Sequence, residues 1–175
     1  MTSKEIMAEI NNIIGTKWAE REGRKVPDAE NVRLGNDAVS IAGTVLYADM
    51  ADSTGLVNNF KDWFAAEIYK SYLVSTCRII RTNGGEITAF DGDRVMAVFF
   101  GDRKNTLAVK TALQIHFIVK EINKSVKSKY PNTSYQLSQA VCIDTSKLFV
   151  AKTGIRNAND LVWVGRAANY AAKLC

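Results

Sequence analysis

The run 43–50 constrains the fold more than any other segment, because it is short, mostly apolar and carries an acidic residue near its end. Such a run is typical of a strand that is buried on both faces of a sheet. Its acidic residue is Asp49, and a carboxylate at the end of a buried strand needs a partner. Asp52, Ser53 and Thr54 follow as candidate helix N-caps. The sequence therefore predicts a buried strand that ends at a carboxylate and leads directly into a helix.

Around this strand, the N-terminal half of the chain reads as two helices and a connector. The first helix is predicted over 3–21, and its apolar residues are Ile6, Ile10, Ile13, Ile14 and Trp18. A polar connector over 22–42 would wrap the core. The helix that follows the strand is predicted to run from Asp52 to about Thr82. We therefore expect an N-terminal helix and connector over 1–42, and a single domain over 43–175.

The C-terminal half reads mainly as strands around one long helix. A hairpin is predicted over 86–100 with Asp91-Gly92-Asp93 as its turn, followed by a helix over 103–127. We expect two strands within 134–151, a short strand over 160–164 and a last helix after that. This order contains a βαββαβ core. It predicts an α+β, ferredoxin-like fold with helices on one face of a mainly antiparallel sheet, preceded by the N-terminal helix.

Composition restricts the class of protein but not its function. A chain of 175 residues that is 47% hydrophobic can bury a sizeable core and is not disordered. Its net charge of +5 favours anionic partners, which include nucleic acids, membranes and small triphosphates. The three cysteines are widely spaced and form no CxxC pair, which favours a reducing compartment. No 18-residue apolar run and no signal-peptide core are present, so a cytoplasmic location is expected.

Two aspartates are the candidate metal ligands. Asp49 ends a strand and Asp93 lies in the hairpin turn, so the two carboxylates meet at one sheet edge if their strands are neighbours. Carboxylates crowded together repel each other unless a cation lies between them, and hard divalent ions fill that role beside phosphates. The alternative is that Asp93 only forms the turn.

Two further pairs are candidate substrate contacts. Ser53 and Thr54 open a helix, where backbone N–H groups bind phosphate, although an ordinary N-cap is the alternative. Asn169 and Lys173 are four residues apart and share one helix face, where they could bind a ribose oxygen and a phosphate. A solvated helix face is the alternative for this second pair.

Three segments together resemble the class III adenylate and guanylate cyclases. The first metal motif of that family resembles 43–54 (GTVLYADMADST), and its second resembles 84–99 (GGEITAFDGDRVMAVF). The transition-state helix of the family resembles 164–174 (VGRAANYAAKL). The three motifs occur in the family's order with similar spacing. The resemblance implies a cyclase catalytic domain that closes a nucleoside triphosphate into a cyclic monophosphate.

The resemblance also implies roles for individual residues. Asp49, Asp93 and the backbone carbonyl of Met50 would bind two Mg²⁺ or Mn²⁺ ions, and Asn169 would orient the ribose. Lys173 stands where the family usually has arginine, and it keeps the charge without the two-pronged geometry. Each site in the family is shared across a homodimer, so the metals and the asparagine would come from different subunits.

The base-reading positions depart from those of purine cyclases. They correspond to Ala89 and Val162 here, and neither side chain can read a purine edge. Tyr47 lies two residues before Asp49, where its ring could narrow the pocket. These features resemble the bacterial pyrimidine cyclases of anti-phage Pycsar systems, which make cyclic UMP or cyclic CMP to activate a separate effector. UTP is the predicted substrate and CTP the second choice, with no nucleic acid or membrane partner.

Two other readings remain open. The chain could be a purine cyclase whose base contacts lie elsewhere, or a cyclase-like module that binds nucleotide or dimerises without catalysis. Members of the family continue beyond the position of Cys175 with strands that bring a phosphate-binding lysine, and we expect those strands to be absent here. Retention of both aspartates favours catalysis, whereas Lys173 in the arginine position favours the module.

Overall fold

The computed structural model describes residues 2–175 and contains a six-stranded sheet. Its elements, in chain order, are α1 (Ser3–Gly15), β1 (Ala19–Glu22), β2 (Asp37–Met50), α2 (Ser53–Asn59), α3 (Asp62–Thr82), β3 (Glu86–Asp91), β4 (Arg94–Phe99), α4 (Lys104–Lys129), β5 (Gln139–Ile155), β6 (Ala158–Val164) and α5 (Arg166–Leu174). The predicted α+β fold with an N-terminal helix is confirmed.

The sheet is built around β2, which is the central strand. Its neighbours are β4 on one side and β5 on the other, and the strand order is β3-β4-β2-β5-β6. All of these pairings are antiparallel, while β1 pairs in parallel with the start of β2. The second half of β2 is buried almost throughout, as the apolar run 43–50 predicts. The hairpin of β3 and β4 is confirmed as well.

Each face of the sheet carries its own apolar layer. The layer beneath α3 and α4 is the larger one, and its fully buried members include Leu46, Tyr72, Phe99 and Ile115. The opposite layer lies under α5 and the connector, so the prediction that the helices lie on one face of the sheet is wrong for α5. This layer includes Val45, Met96, Leu148, Trp163 and Ala167. Alternation along β2 therefore sends successive side chains to two different cores. Tyr47, which is discussed below, packs against the second layer, and Asp49 lies on the same face of β2.

The first predicted helix is shorter than expected. It ends at Gly15, and Ala19–Glu22 forms β1, whereas the sequence pattern predicts helix to residue 21. Glycine is a poor helix former, and the Asn36 amide donates hydrogen bonds to the carbonyls of Ile13 and Thr16 (2.8 and 2.6 Å), which holds the chain as it turns into the strand. No described residue of α1 is buried, so its predicted apolar residues do not face the core of this chain.

Three other boundaries differ from prediction. The connector is shorter than 22–42, because β2 begins at Asp37. The helix predicted from Asp52 to Thr82 is broken into α2 and α3 at Phe60, whose extended backbone lets its ring stack on Phe64 at 5.2 Å. The two strands predicted within 134–151 are one long strand, β5, because it pairs without interruption along β2.

Among residues 2–175, no helix is both long enough and apolar enough to cross a membrane.

Gly85 provides a test of how tightly the larger core is packed. A Cβ atom there would lie 2.6 Å from Phe99 Cζ and 2.8 Å from Ile80 Cγ2, and both of these side chains are fully buried. We predict that Gly85→Ala lowers the free energy of unfolding by about 1–3 kcal/mol, because these neighbours cannot retreat. Gly15→Ala is the matched control, since no atom lies within 4 Å of its Cβ position. Urea unfolding of both variants measures the difference, and equal midpoints would contradict it.

Candidate active site

Asp49 and Asp93 meet at one edge of the sheet, as the sequence predicts for neighbouring strands. The register of β2 with β4 runs from Thr44 opposite Phe99 to Ala48 opposite Val95. One step further along, the Arg94 Nε donates to Asp49 Oδ2 at 3.3 Å. Asp93 precedes Arg94 in the hairpin turn. The pairing of β2 with β4 therefore brings both carboxylates to the same strand end.

The charges at this edge are unbalanced. Burial raises the pKa of Asp49 above its usual value of 3.8, the Arg94 guanidinium opposes that rise, and the neighbouring Asp93 carboxylate adds to it. Oδ2 of Asp93 is buried and accepts no hydrogen bond within residues 2–175. A buried acceptor without a donor is costly, and the cost disappears when a cation binds it. The edge therefore has the charge and the open acceptor that a divalent cation requires.

The donor set fits Mg²⁺ or Mn²⁺ better than a cation that needs many protein ligands. Within residues 2–175, no group of three or more His, Cys, Asp and Glu side chains could hold a metal ion. Mg²⁺ is usually held by one or two carboxylates, with water and substrate phosphates as the remaining ligands. Asp49 and Asp93 could supply the carboxylates. The backbone of Met50 lies beside them, while its side chain is buried in the larger core.

Arg94 is a residue that sequence reasoning missed. Its guanidinium carbon lies 5.8 Å from the centroid of the Tyr47 ring, so the same side chain contacts both Tyr47 and Asp49. Tyr47 is half-buried, and burial raises the pKa of its phenol. The signal was present in the sequence, because Arg94 directly follows the turn aspartate and opens the strand that pairs with β2. Tyr47, Asp49 and Arg94 thus form one contiguous group.

The residues after β2 form a tight turn into α2. Asp52 has a left-handed backbone (φ 54°) and is the N-cap, and its carboxylate accepts from the Gly55 N–H at 3.1 Å. This confirms Asp52 as a helix N-cap. The Gly55 amide is consequently occupied, and it is not free for a phosphate. Ser53 and Thr54 lie in the first turn of this seven-residue helix, and their role as phosphate contacts stays a prediction.

Asn169 and Lys173 lie on the exposed face of α5. The opposite face of this helix is made of small buried residues that pack against the sheet, namely Ala167, Ala168 and Ala171. Neither Asn169 nor Lys173 makes a side-chain hydrogen bond or ion pair within residues 2–175. The structure therefore presents both side chains outward, and it does not bring them to Asp49 and Asp93 of the same chain.

Ala89 and Val162 lie on strands at opposite edges of the sheet. Ala89 on β3 packs against the second core layer, whereas Val162 on β6 is 39% exposed. A cavity of about 360 Å³ is lined by residues of the segments beside both positions, among them Glu86 and Trp163. The indole N–H of Trp163 is buried without an acceptor in the described residues. The two positions are thus not in contact, although their strands border one cavity.

Cys175 brings the end of α5 back to this part of the sheet. Its thiol donates to the Tyr47 carbonyl at 3.4 Å and to the Ala140 carbonyl at 3.8 Å. Burial and the neighbouring Cys142 raise the pKa of the Cys175 thiol to about 12. The C-terminal end of α5 is therefore attached to the backbone of β2 two residues before Asp49.

Sequence comparison finds close relatives among curated cyclases. The chain is 52% identical to a uridylate cyclase of Xanthomonas perforans, over 97% of this chain and 74% of that protein. It is also 52% identical to a uridylate cyclase of Burkholderia cepacia, over 90% of this chain and 70% of the relative. No family model matches the chain.

Structure comparison agrees in fold. The adenylyl cyclase CyaB of P. aeruginosa superimposes with a TM-score of 0.71 at 22% identity, covering 78% of this chain and 72% of the other. The chain thus has the α+β fold of the class III cyclase catalytic domains. At 52% identity over nearly its whole length, the chain belongs to the uridylate cyclase family.

Removing the Asp49 charge tests the cation site without an activity assay. A raised carboxyl pKa means that ionised Asp49 opposes folding at neutral pH, and this cost vanishes as pH falls through its folded pKa. We predict that Asp49→Asn raises the Tm in metal-free buffer at pH 7, and that its advantage over wild type shrinks towards pH 4. Differential scanning calorimetry measures both effects.

Adding Mn²⁺ should reverse the order of the Tm values, so that wild type becomes more stable than Asp49→Asn. Mn²⁺ at ten times its Kd stabilises wild type by about 1.4 kcal/mol, whereas Asp49→Asn should respond weakly because a ligand is lost. Asp102→Asn, an exposed aspartate in the turn before α4, is the control and should respond like wild type. An equal Mn²⁺ response in Asp49→Asn and wild type would contradict the site.

Proposed function

We propose that this cyclase converts UTP to 3′,5′-cyclic UMP and pyrophosphate. The observation that carries the proposal is the paired carboxylates of Asp49 and Asp93 at one sheet edge, with a buried acceptor that only a donor or cation can satisfy. The uridylate cyclases that are 52% identical to the chain support UTP as the substrate. Cytidylate cyclisation is the second candidate.

Two divalent cations, Mg²⁺ or Mn²⁺, would be held by Asp49, Asp93 and the backbone carbonyl of Met50. When bound, they lower the pKa of the ribose 3′-hydroxyl and neutralise charge on the triphosphate. The 3′-oxygen then attacks the α-phosphorus in line, and pyrophosphate leaves. Asp49 and Asp93 would contribute by fixing the positions of the cations that neutralise the triphosphate. In phosphoryl transfer, positioning and electrostatic stabilisation supply most of the rate acceleration.

The site would be completed by a second copy of the chain. Asn169 would orient the ribose, and Lys173 would stabilise charge on the reacting phosphate. Both side chains are exposed on α5 and have no side-chain partner among residues 2–175, which is what a contribution to a partner's site requires. A twofold homodimer would then contain two equivalent sites, each with carboxylates from one subunit and α5 from the other.

Base selection would combine the absence of hydrogen bonds to a purine with steric exclusion of the larger base. Ala89 and Val162 offer no hydrogen bond to a purine edge, so a purine gains nothing from binding there. Tyr47 would exclude the larger base, because its ring lies on the same face as Asp49 and is held beneath Arg94. Ser53 and Thr54 would contact the phosphates. The preference for UTP over CTP rests on the relatives and not on an identified contact.

The product would act as a signal. We propose that cyclic UMP made in the cytoplasm activates a separate effector in anti-phage defence. This part of the proposal rests on the resemblance of the motifs at 43–54, 84–99 and 164–174 to the Pycsar cyclases. Neither nucleic acid nor membrane is part of this function.

Subunit complementation tests the shared site. Asp49→Ala and Asn169→Ala should each be inactive, because every dimer site then lacks a ligand or the ribose contact. Mixed in equal amounts with free subunit exchange, they should recover about a quarter of wild-type activity, since half the dimers are mixed and each has one intact site. Cyclic UMP release is the readout, with exchange confirmed by labelled chains. Exchange without recovered activity would rule out the composite site.

Substrate competition tests the base assignment. Wild type should show its highest kcat/KM for UTP, then CTP, with ATP and GTP far lower. Tyr47→Ala should raise kcat/KM for ATP relative to UTP by about tenfold, because a single excluding contact is worth on the order of 1–3 kcal/mol. Tyr47→Phe is the matched control, which keeps the ring and should keep the exclusion. Preference of wild type for a purine would overturn the UTP assignment, and unchanged discrimination in Tyr47→Ala would remove only the role of Tyr47.

A further inference from the structure

Two cysteines lie together beside the candidate active site. Cys142 on β5 is the direct cross-strand partner of Tyr47 on β2. Side chains of directly paired residues project from the same face of a sheet, so Cys142 and Tyr47 share the face that carries Asp49. Cys142 is partly buried there.

Cys175 reaches the same place from the end of α5. Its Sγ contacts the carbonyl of Tyr47, which lies opposite Cys142 on β2, and the carbonyl of Ala140, which lies two residues before Cys142 on β5. Tyr47 is directly paired with Cys142, so the Cys175 Sγ lies over the backbone next to Cys142. A disulfide requires the two Cα atoms to lie within about 7 Å of each other, and the packing of α5 on β5 makes such an approach accessible.

We propose that Cys142 and Cys175 form an oxidisable dithiol, which a peroxide converts into a disulfide that tethers α5 to β5 and slows the cyclase. The third cysteine, Cys77, belongs to α3 under the opposite face of the sheet and has no thiol partner in the described residues. The effect on turnover rests on the proposed function, whereas formation of the disulfide does not.

The chemistry balances with hydrogen peroxide as the two-electron oxidant. The Cys142 sulfur attacks a peroxide oxygen, the O–O bond breaks, and a sulfenic acid and water result. The Cys175 sulfur then attacks the sulfenic sulfur, the S–O bond breaks, and the oxygen leaves as a second water with the Cys175 proton. Burial raises the pKa of the Cys175 thiol, which disfavours its thiolate as the first nucleophile.

The tether would act on residues close to the reaction. Cys175 is two residues beyond Lys173, so a covalent bond to β5 restricts the turn of α5 that carries this side chain. Oxidation also removes the S–H that donates to the Tyr47 carbonyl, beside the strand end that holds Asp49. A misplacement of reacting groups of about 1 Å can cost on the order of 100-fold in rate.

Peptide mapping tests the disulfide directly. After peroxide treatment at pH 7.5, trypsin should release peptide 130–147 joined to the residues that follow Lys173, a species that dithiothreitol removes. Cys142→Ser and Cys175→Ser should each lack this species, whereas Cys77→Ser should form it as wild type does. Oxidised wild type without the cross-linked peptide, or a cross-link through Cys77, would overturn the proposal.

Activity measurements test whether the disulfide slows the cyclase. Peroxide should lower kcat for cyclic UMP formation by about tenfold or more in wild type and in Cys77→Ser, with recovery in dithiothreitol. Cys142→Ser should retain its activity under the same treatment. An equal, irreversible loss in Cys142→Ser would show that peroxide acts elsewhere. A confirmed cross-link in a chain that does not turn over UTP would instead count against the proposed function alone.

Discussion

The antiparallel pairing of β2 with β4 places Asp49 beside the turn that carries Asp93, and the repulsion between these carboxylates shapes the rest of the site. Asp49 is only 16% exposed, so water cannot fully screen its charge. Arg94 offsets part of the cost through a single hydrogen bond. The Oδ2 of Asp93 receives no such compensation from residues 2–175. A fold that keeps this arrangement must recover the lost stability elsewhere, and the proposed cation would remove the repulsion.

The two faces of the sheet serve different purposes, since one stabilises the fold and the other carries the candidate site. The layer under α3 and α4 is thick and made of large side chains such as Leu46 and Phe99, which supply the apolar burial that stabilises the fold. The other layer is thin where α5 packs, because small residues there let the helix approach the sheet closely. A Cβ atom at Gly165 would lie 2.6 Å from the Lys147 carbonyl, so the helix could not begin there with a larger residue. This close packing leaves the opposite side of α5, with Asn169 and Lys173, directed outward.

The correctly predicted elements are those with a local signal. The apolar run 43–50, the turn at Gly92 and the stripe of the long helix each encode their own structure within a few residues. The wrongly predicted elements depend on distant partners. The residues of β1 are all exposed and show no alternation, so only their parallel pairing with Asp37 and the residues after it makes them a strand. The single strand β5 likewise follows from its pairing along the whole of β2.

The candidate site shows the same division between local and distant signals. Asp49, Asp93, Asn169 and Lys173 are predicted from motif and spacing, and the roles proposed for them require cations and a second subunit. The position of Arg94 directly after the turn aspartate is its one local signal, and its contact with Asp49 arises only from the pairing of β2 with β4. The position of Cys175 could not be read from the sequence either, since only the packing of α5 on β5 brings it to Tyr47.

These contacts make one connected unit of the strand end. Arg94 joins the carboxylate of Asp49 to the ring of Tyr47, and Cys175 joins the backbone of Tyr47 to the end of α5. The proposed cation ligands, the proposed base contact and the helix offered to a partner subunit therefore share a few adjacent residues. Substitutions at residues in direct contact are expected to have non-additive effects. The proposed metal binding, base selection and subunit contact would therefore be coupled at this strand end through residues that touch, and no longer-range pathway is required.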